Sequence, residues 1–376
     1  MRRMRWRWIA WQGALAVMLM GGARLAAQAP LKVARVMEQW RVDGSESGRA
    51  FGDVRDLLAL PDGQLWVLDF KDQEIRRYDA AGTFRGVTAR PGAGPGELRN
   101  ADGMLLHGDG TVWVNDPMNG RLSVFGTSGA FLRQHPLAIG GWRYRWEAWF
   151  DRRTHTVVDP RFGPGVDGTA RRISVRGTVL GTLVLPACKQ VLGSLGYKAQ
   201  TKGRGGLQAN YPFTFGGGVA GDPAGGYWCA PVDGTRAVRL GLERRDTLAR
   251  TDLELPPIAV SAAERQARIA DVQKRVATFS WSDFDPSRVP SSKPPILGLW
   301  VDHDGRLWVR HADRFGVRQS VFDVHDHQGR HLARVTIPAR SSEFLPVQSR
   351  GDRLWLTIVD DDDVPWVTQY RVTWPR

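Results

Sequence analysis

The sequence predicts an all-β fold, a six-bladed β-propeller with four-stranded blades, on three observations. A strand containing tryptophan follows an Asp-Gly turn again and again along the chain. Its best copies keep a common spacing, with Trp66 and Trp113 lying 47 residues apart, as do Trp308 and Trp355. The chain of 376 residues carries 16 tryptophans and 43 glycines, the large wedges and tight turns that let sheet pack radially on sheet.

In the first copy Pro61, Asp62 and Gly63 form a turn, 65–68 continues as a strand and 75–78 as the next, and Asp79 with Gly82 turns the chain into Phe84. The second copy repeats this with Asp109, Gly110, Val112, Trp113 and Val114, then 122–125, then Gly129 and Phe131. In both, the tryptophan precedes its closing glycine by 16 residues, and chance seldom preserves two spacings at once. Later copies keep the frame at Gly225, Gly226, Tyr227 and Trp228, at Asp304, Gly305, Leu307 and Trp308, and at Asp352, Leu354 and Trp355. A weaker copy sits at Trp146, Ala148, Trp149 and Phe150, continued by 173–175 and Gly177. Counting Trp66, Trp113, Trp149, Trp228, Trp308 and Trp355 as one strand per blade gives six.

Between Trp228 and Trp308 an insertion is expected at 261–278. Ser261 with Glu264 has the spacing of a capping box, and Ile269, Val272 and Val276 recur at helical intervals. Pro286, Pro290, Pro294 and Pro295 then enforce an extended segment. The last blade is one strand short after 367–373, while 33–42 has strand composition and no partner of its own. Placing that N-terminal strand on the outside of the last blade closes the ring and leaves no unpaired edge.

The chain divides into a signal peptide at 1–29 and the propeller domain at 30–376. Arg2, Arg3, Arg5 and Arg7 precede an apolar run at 9–23, and the small-residue stretch Ala26, Ala27, Gln28, Ala29 follows. A spanning helix needs roughly 20 apolar residues, whereas Gln12 and Arg24 bracket only about 11. The expectation is therefore a periplasmic or extracellular monomer with no membrane span after cleavage. Loss of five leader arginines lowers the formal charge from +13 to +8. Outside the cytoplasm such a charge suits acidic glycans, anionic surfaces or acidic proteins and not nucleic acid, and an arginine-rich composition accounts for it equally. Cys188 and Cys229 either form a disulfide, closing a loop of about 40 residues and adding roughly 3 to 4 kcal/mol, or stay two buried thiols.

The stretch Val114, Asn115, Asp116, Pro117, Met118, Asn119, Gly120, Arg121, Leu122, with Phe125 and Gly129, resembles the NHL repeat. Asp69, Asp72, Ile75, Arg76 and Tyr78 follow it less fully. Gly92, Gly94, Pro95, Gly96 and Glu97 look like the glycine-rich connector of exported bacterial six-bladed propellers with NHL-like repeats. The resemblance implies a fold and no reaction. The wider six-bladed group includes protein- and RNA-binding propellers, gluconolactonase-like and paraoxonase-like hydrolases with a central metal, and amidating lyases.

Ligands of such folds meet the face built by the loops entering the first strand and joining the second to the third. The expected ligand-binding residues there are Asp69, Asp72, Glu97, Asn115, Asp116, Arg310, His311 and Asp313, with Lys71, Arg99 and Asp102 on the same loops. Their structural alternative is that Asp and Asn after a strand bond the turn backbone, that Asp116 orients Arg121, and that Arg310 is an ion-pair partner within its blade. Asp360, Asp361, Asp362 and Asp363 are dense enough for Ca²⁺ but lack the spacing of a calcium loop, so a solvated hairpin tip is expected. His325, His327 and His331 read as surface polarity. No nucleophile elbow, paired-histidine zinc helix or phosphate loop is present. The expectation is thus a binding propeller without a cofactor, recognising a protein, peptide or glycan. The alternative is a Ca²⁺-dependent hydrolase or lyase of the gluconolactonase or paraoxonase type, with acids converging from several blades.

Overall fold

The computed structural model describes residues 31–138, 144–161, 168–185, 195–201, 204–214, 218–231, 233–342 and 347–376. The expected leader at 1–29 lies outside them. Strand accounts for 49% of the chain and helix for 8%, which makes it all-β.

Four separate four-stranded antiparallel sheets follow the chain order. The first is Val54–Ala59, Leu65–Asp69, Glu74–Tyr78 and Phe84–Thr88. The second is Gly103–Leu106, Val112–Asp116, Arg121–Phe125 and Phe131–Pro136. The third is Trp149–Asp151, Thr156–Arg161, Thr169–Ile173 and Val179–Val184. The fourth is Gly218–Gly221, Tyr227–Ala230, Arg236–Leu240 and Thr247–Asp252. The remaining two groups are a fifth, Ile296–Val301, Leu307–His311, Ser320–His325 and His331–Ile337, and a last, Gln348–Arg350, Arg353–Val359 and Pro365–Thr373.

The N-terminal strand Val33–Val42 joins these last two. It pairs antiparallel with Pro365–Thr373, from Arg35 opposite Thr373 to Val42 opposite Val367, with a bulge between Glu38 and Trp40. Its first residues pair in parallel with the fifth group through Val33 and Ala34 opposite Arg334 and Val335. The strand that lacked a partner in the sequence thus covers an edge.

Tryptophan placement follows from burial on both faces. Leu65–Asp69 and Val112–Asp116 are buried throughout, whereas the outermost Phe131–Pro136 alternates between half-buried and exposed. A second strand sandwiched between sheets must be apolar on both sides, and an outer strand only on one. Trp66, Trp113, Trp228, Trp308 and Trp355 all sit on second strands with no exposure. The third sheet corrects the repeat reading: Trp149 lies on its first strand, and its second strand, Thr156–Arg161, has no tryptophan. Trp146, buried in the connector before it and donating from Nε1 to Asp159 at 3.0 Å, helps fill that layer.

The core lies between sheets. Leu58, Trp66 and Ile75 pack with Met104, Val112 and Phe125; Leu105 and Trp113 with Trp146 and Val157; Trp149 and Val158 with Tyr227 and Cys229. Ala220 and Trp228 then pack with Ile296 and Leu307, Trp308 and Phe322 with Leu354 and Tyr370, and Trp355 and Val367 with Leu57 and Val67. The last cluster joins the final sheet to the first.

Ser261 caps the helix Ala262–Val276, its side chain accepting from the Glu264 N–H. The reciprocal half of the capping box is not made, because Glu264 instead meets Lys293 Nζ at 2.6 Å. Ile269 and Val272 pack on Tyr197, Tyr211 and Val289. Tyr197 belongs to a hairpin, Gly196–Thr201 with Arg204–Asn210, extended by Trp281–Ser282, that the repeat pattern does not announce. Cys229 is disulfide-bonded. Cys188, the chain's other cysteine, is outside the described residues. Among the described residues no helix is long and apolar enough to cross a membrane.

Candidate functional site

At one end of the sheets the second strands turn into the third strands, and the connectors between sheets arrive. A buried aspartate at or near the end of the second strand and an arginine at or near the start of the third recur in three consecutive sheets. Asp116 accepts from Arg121 Nε at 3.1 Å, from Asn119 Nδ2 at 2.8 Å and from the Arg99 N–H at 2.7 Å. Arg121 in turn donates to the carbonyls of Gly94 and Glu97, both at 2.7 Å. Arg171 is held by Asp159 at 2.7 Å and donates to the Ala138 carbonyl. Arg76, bound to Asp72 at 2.7 Å and 3.6 Å from Asp69, donates to the Arg49 carbonyl. Each arginine therefore clasps the connector that enters its own sheet, and its aspartate aims it.

The structure places the other expected residues in related roles. Asp69 accepts from the N–H groups of Gly52, Asp53 and Lys71. Asn115 donates to Asp102 at 2.7 Å, and Glu97 accepts from the Gly94 N–H at 2.8 Å and from Arg90 Nε. Arg310, 1% exposed, bonds Asp313 at 3.1 Å and the carbonyls of Ser341 and Ser342. His311 Nε2 lies 2.7 Å from Asp323. Each of these groups is held by partners in its own sheet and connectors. Among the described residues no set of three or more His, Cys, Asp and Glu side chains is placed to hold a metal ion. At the 360–364 tip Asp360 accepts from the N–H groups of Asp362 and Val364 and from Trp366 Nε1, as a hairpin turn requires.

A different group converges at the start of the first strands. Arg55 is the bulged residue between Val54 and Asp56, and a bulge re-aims its side chain. Its guanidinium lies 3.5 Å from the Phe70 ring centroid and 4.2 Å from that of Tyr144. It bonds Asp53 at 2.5 Å and the Tyr144 carbonyl at 3.0 Å, and the Tyr144 hydroxyl donates to Asp53 at 3.2 Å. Beside it the buried Asp56 accepts from the Met104 N–H at 2.8 Å and meets Arg145 at 3.3 Å. Burial pushes the Asp56 carboxyl up to about 6 against the opposing pull of Arg145. Tyr144, 41% exposed, presents this cluster outward. The local sequence signal was the charged set Asp53, Arg55 and Asp56 entering a strand otherwise made of Val54, Leu57, Leu58 and Ala59.

Of the three histidines read as surface polarity, His327 and His331 are exposed and His325 alone departs. His325 is 3% exposed, near Thr251 Oγ1 at 3.2 Å, while His311 and His331 flank Asp323. Burial opposes the Asp323 charge, but bonds from His311, His331 and Arg334 outweigh it and hold the carboxyl well below its usual range. Burial lowers His325, and likewise His303, to about 4. Each is neutral when folded, so the unfolded chain binds the extra proton between its ordinary value near 6.5 and 4. Their stabilisation is complete above pH 6.5 and is lost as pH falls to 4, about 3 kcal/mol apiece. Asp56 acts oppositely, recovering a similar amount as pH falls from 6 toward 4. The parent should therefore lose stability on acidification from pH 7 to 4.5, and His325→Phe should lose distinctly less, read by urea melts at both values. Equal losses would contradict the buried-histidine account.

No protein-family model and no curated protein matches the chain. Among solved structures, U3-55K is similar over 89% of this chain and 98% of its own, at 12% identity and a TM-score of 0.51. A streptogramin B lyase is similar over 90% of this chain and 98% of its own, at 11% identity and a TM-score of 0.47. Virginiamycin B lyase from Staphylococcus aureus is similar over 90% of this chain and 100% of its own, also at 11% and 0.47. These are propeller-type proteins. Identities this low bear on fold alone, and the two lyase similarities carry no argument about chemistry.

Proposed function

We propose that the chain is an exported six-bladed propeller that binds a protein, peptide or glycan through the face carrying Asp69, Asp72, Glu97, Asn115, Asp116, Arg310, His311 and Asp313. Six groups of strands, packed in succession with the last against the first, support the blade count. The single observation that carries the binding reading is the Phe70–Arg55–Tyr144 stack at the inner strand ends. An arginine fixed between two rings is pre-organised and loses little entropy on contact, and Tyr and Arg are the side chains that anchor interfaces. The aspartates that clasp the connectors hold this display rigid.

The test is to probe peptide and glycan arrays with the purified protein and with Tyr144→Ala. Binding should weaken about 30-fold, the size expected for an interface anchor, with little change in melting because the ring is already 41% exposed. Absence of binding on both arrays, or binding indifferent to Tyr144, would overturn the reading.

A further inference from the structure

A cavity of about 290 Å³ opens at the seam where the N-terminal strand, the 79–82 turn and the last sheet meet, at the opposite end of the strands from the loop face. Gln39, Trp40, Ala80, Arg353, Gln369 and Arg371 line it. Gln39 is the bulged residue of the N-terminal strand, so regular pairing is interrupted at the cavity itself.

Three features make this more than a crevice. Gln369 is only 4% exposed, and its Nε2 has no hydrogen-bond partner among the described residues. A buried amide donor left unpaired is costly, and in native proteins such a group calls for an explanation. Arg353, half-buried, makes no side-chain hydrogen bond or ion pair among the described residues, and Arg371, its side chain 57% exposed, has only Asp352 at 3.6 Å. Arg353 is thus without a counter-charge among the described residues, and Arg371 has a single long one. Trp40 is fixed, donating from Nε1 to the Ala80 carbonyl at 3.3 Å. Gly82, at φ +82°, has no Cβ because one would come within 2.7 Å of the indole.

We infer that the seam cavity binds a single sugar-acid unit, its carboxylate on Arg353 and Arg371, its hydroxyls on the Gln369 and Gln39 amides and one ring face against Trp40. Arginine forks match carboxylates and phosphates alike. The indole and the two amides select a hydroxylated ring over a bare anion. The volume lies at the small end of ligand pockets, about 300 to 1,000 Å³, which suits one monosaccharide. The inference is independent of the loop-face reading, whose residues lie at the other strand end.

Calorimetry at pH 7 with D-galacturonate, D-galactose and inorganic phosphate tests it on the full mature protein, Arg353→Met and Gln369→Leu. Galacturonate should saturate one site, with galactose and phosphate at least about tenfold weaker. Each variant should weaken galacturonate about tenfold. Gln369→Leu should melt at the parent temperature or above, because it removes an unpaired buried donor. A structural role for Gln369 would instead lower melting. No saturable galacturonate binding by folded parent protein, or undiminished affinity in both variants, would overturn the site. Phosphate binding as tightly as galacturonate would overturn the sugar-acid assignment.

Discussion

Protein lacking residues 32–42 is expected to lose its folded state. Those residues supply the outer partner of Pro365–Thr373 and bury Ala34 and Val42, with Trp40 packed against the cluster that joins the last sheet to the first. Burial of a large apolar side chain is worth about 1.5 to 3 kcal/mol, so loss of buried Val42 and Ala34 with half-buried Val36 and Trp40 is a large share of the roughly 5 to 15 kcal/mol that holds a domain together. The deletion also bares the full edge of Pro365–Thr373, a template for pairing with another chain. Size-exclusion chromatography should show aggregates or large oligomers, and any residual fold should melt far below the parent. A truncated monomer with the parent melting temperature would contradict closure by this strand.

Asp116→Ala is expected to be the most damaging single change on the loop face. Asp116 has no exposure and serves three donors, so the alanine leaves Arg121, itself nearly buried, without a counter-charge. Breaking a buried pair by removing one partner costs about 3 to 5 kcal/mol, a large share of total stability. The loss should appear in denaturant melts. Arg121→Met, which removes the cation as well as its bonds to the connector carbonyls, should be damaging in the double variant by less than the two single losses added, because both act through one clasp. A full additive loss would mean that Asp116 and Arg121 do not work together.

The parts of this fold legible in the sequence were those governed by local period. A strand buried on both faces needs Trp66 or Trp113 in a run of aliphatics, and the turn from the third strand into the fourth needs Gly82 or Gly129 at positive φ. The partnerless strand at 33–42 was legible by subtraction, since the last sheet lacked an outer strand. The third sheet misled because its wedge comes from Trp146 in a connector, and Trp149 falls on the first strand and not the second. The hairpin at Gly196–Thr201 and Arg204–Asn210 was missed because Gly196, Gly205 and Gly206 dilute its pattern and its third strand, Trp281–Ser282, comes from far along the chain.

The candidate site was harder to read. Asp116 and Arg121 are five residues apart and could be paired on sight. Arg55 meets Tyr144, and Asp56 meets Arg145, across 89 residues in each case, and only the packing of the first sheet against the connector into the third brings them together. The histidines show the same limit. His325 alternates along a strand as a surface residue would, and only the neighbouring sheet's Thr251 reveals that its side faces another sheet.

The central claim is a division of labour: buried aspartates hold the face, and the Arg55–Tyr144 cluster does the recognising. It is tested most directly by measuring Asp116→Ala and Tyr144→Ala side by side, each for melting and for array binding per folded molecule. The account predicts that Asp116→Ala melts much lower yet binds like the parent where it remains folded, while Tyr144→Ala melts like the parent and loses binding. The reverse pattern, with binding lost on Asp116→Ala at parent stability and kept on Tyr144→Ala, would contradict it.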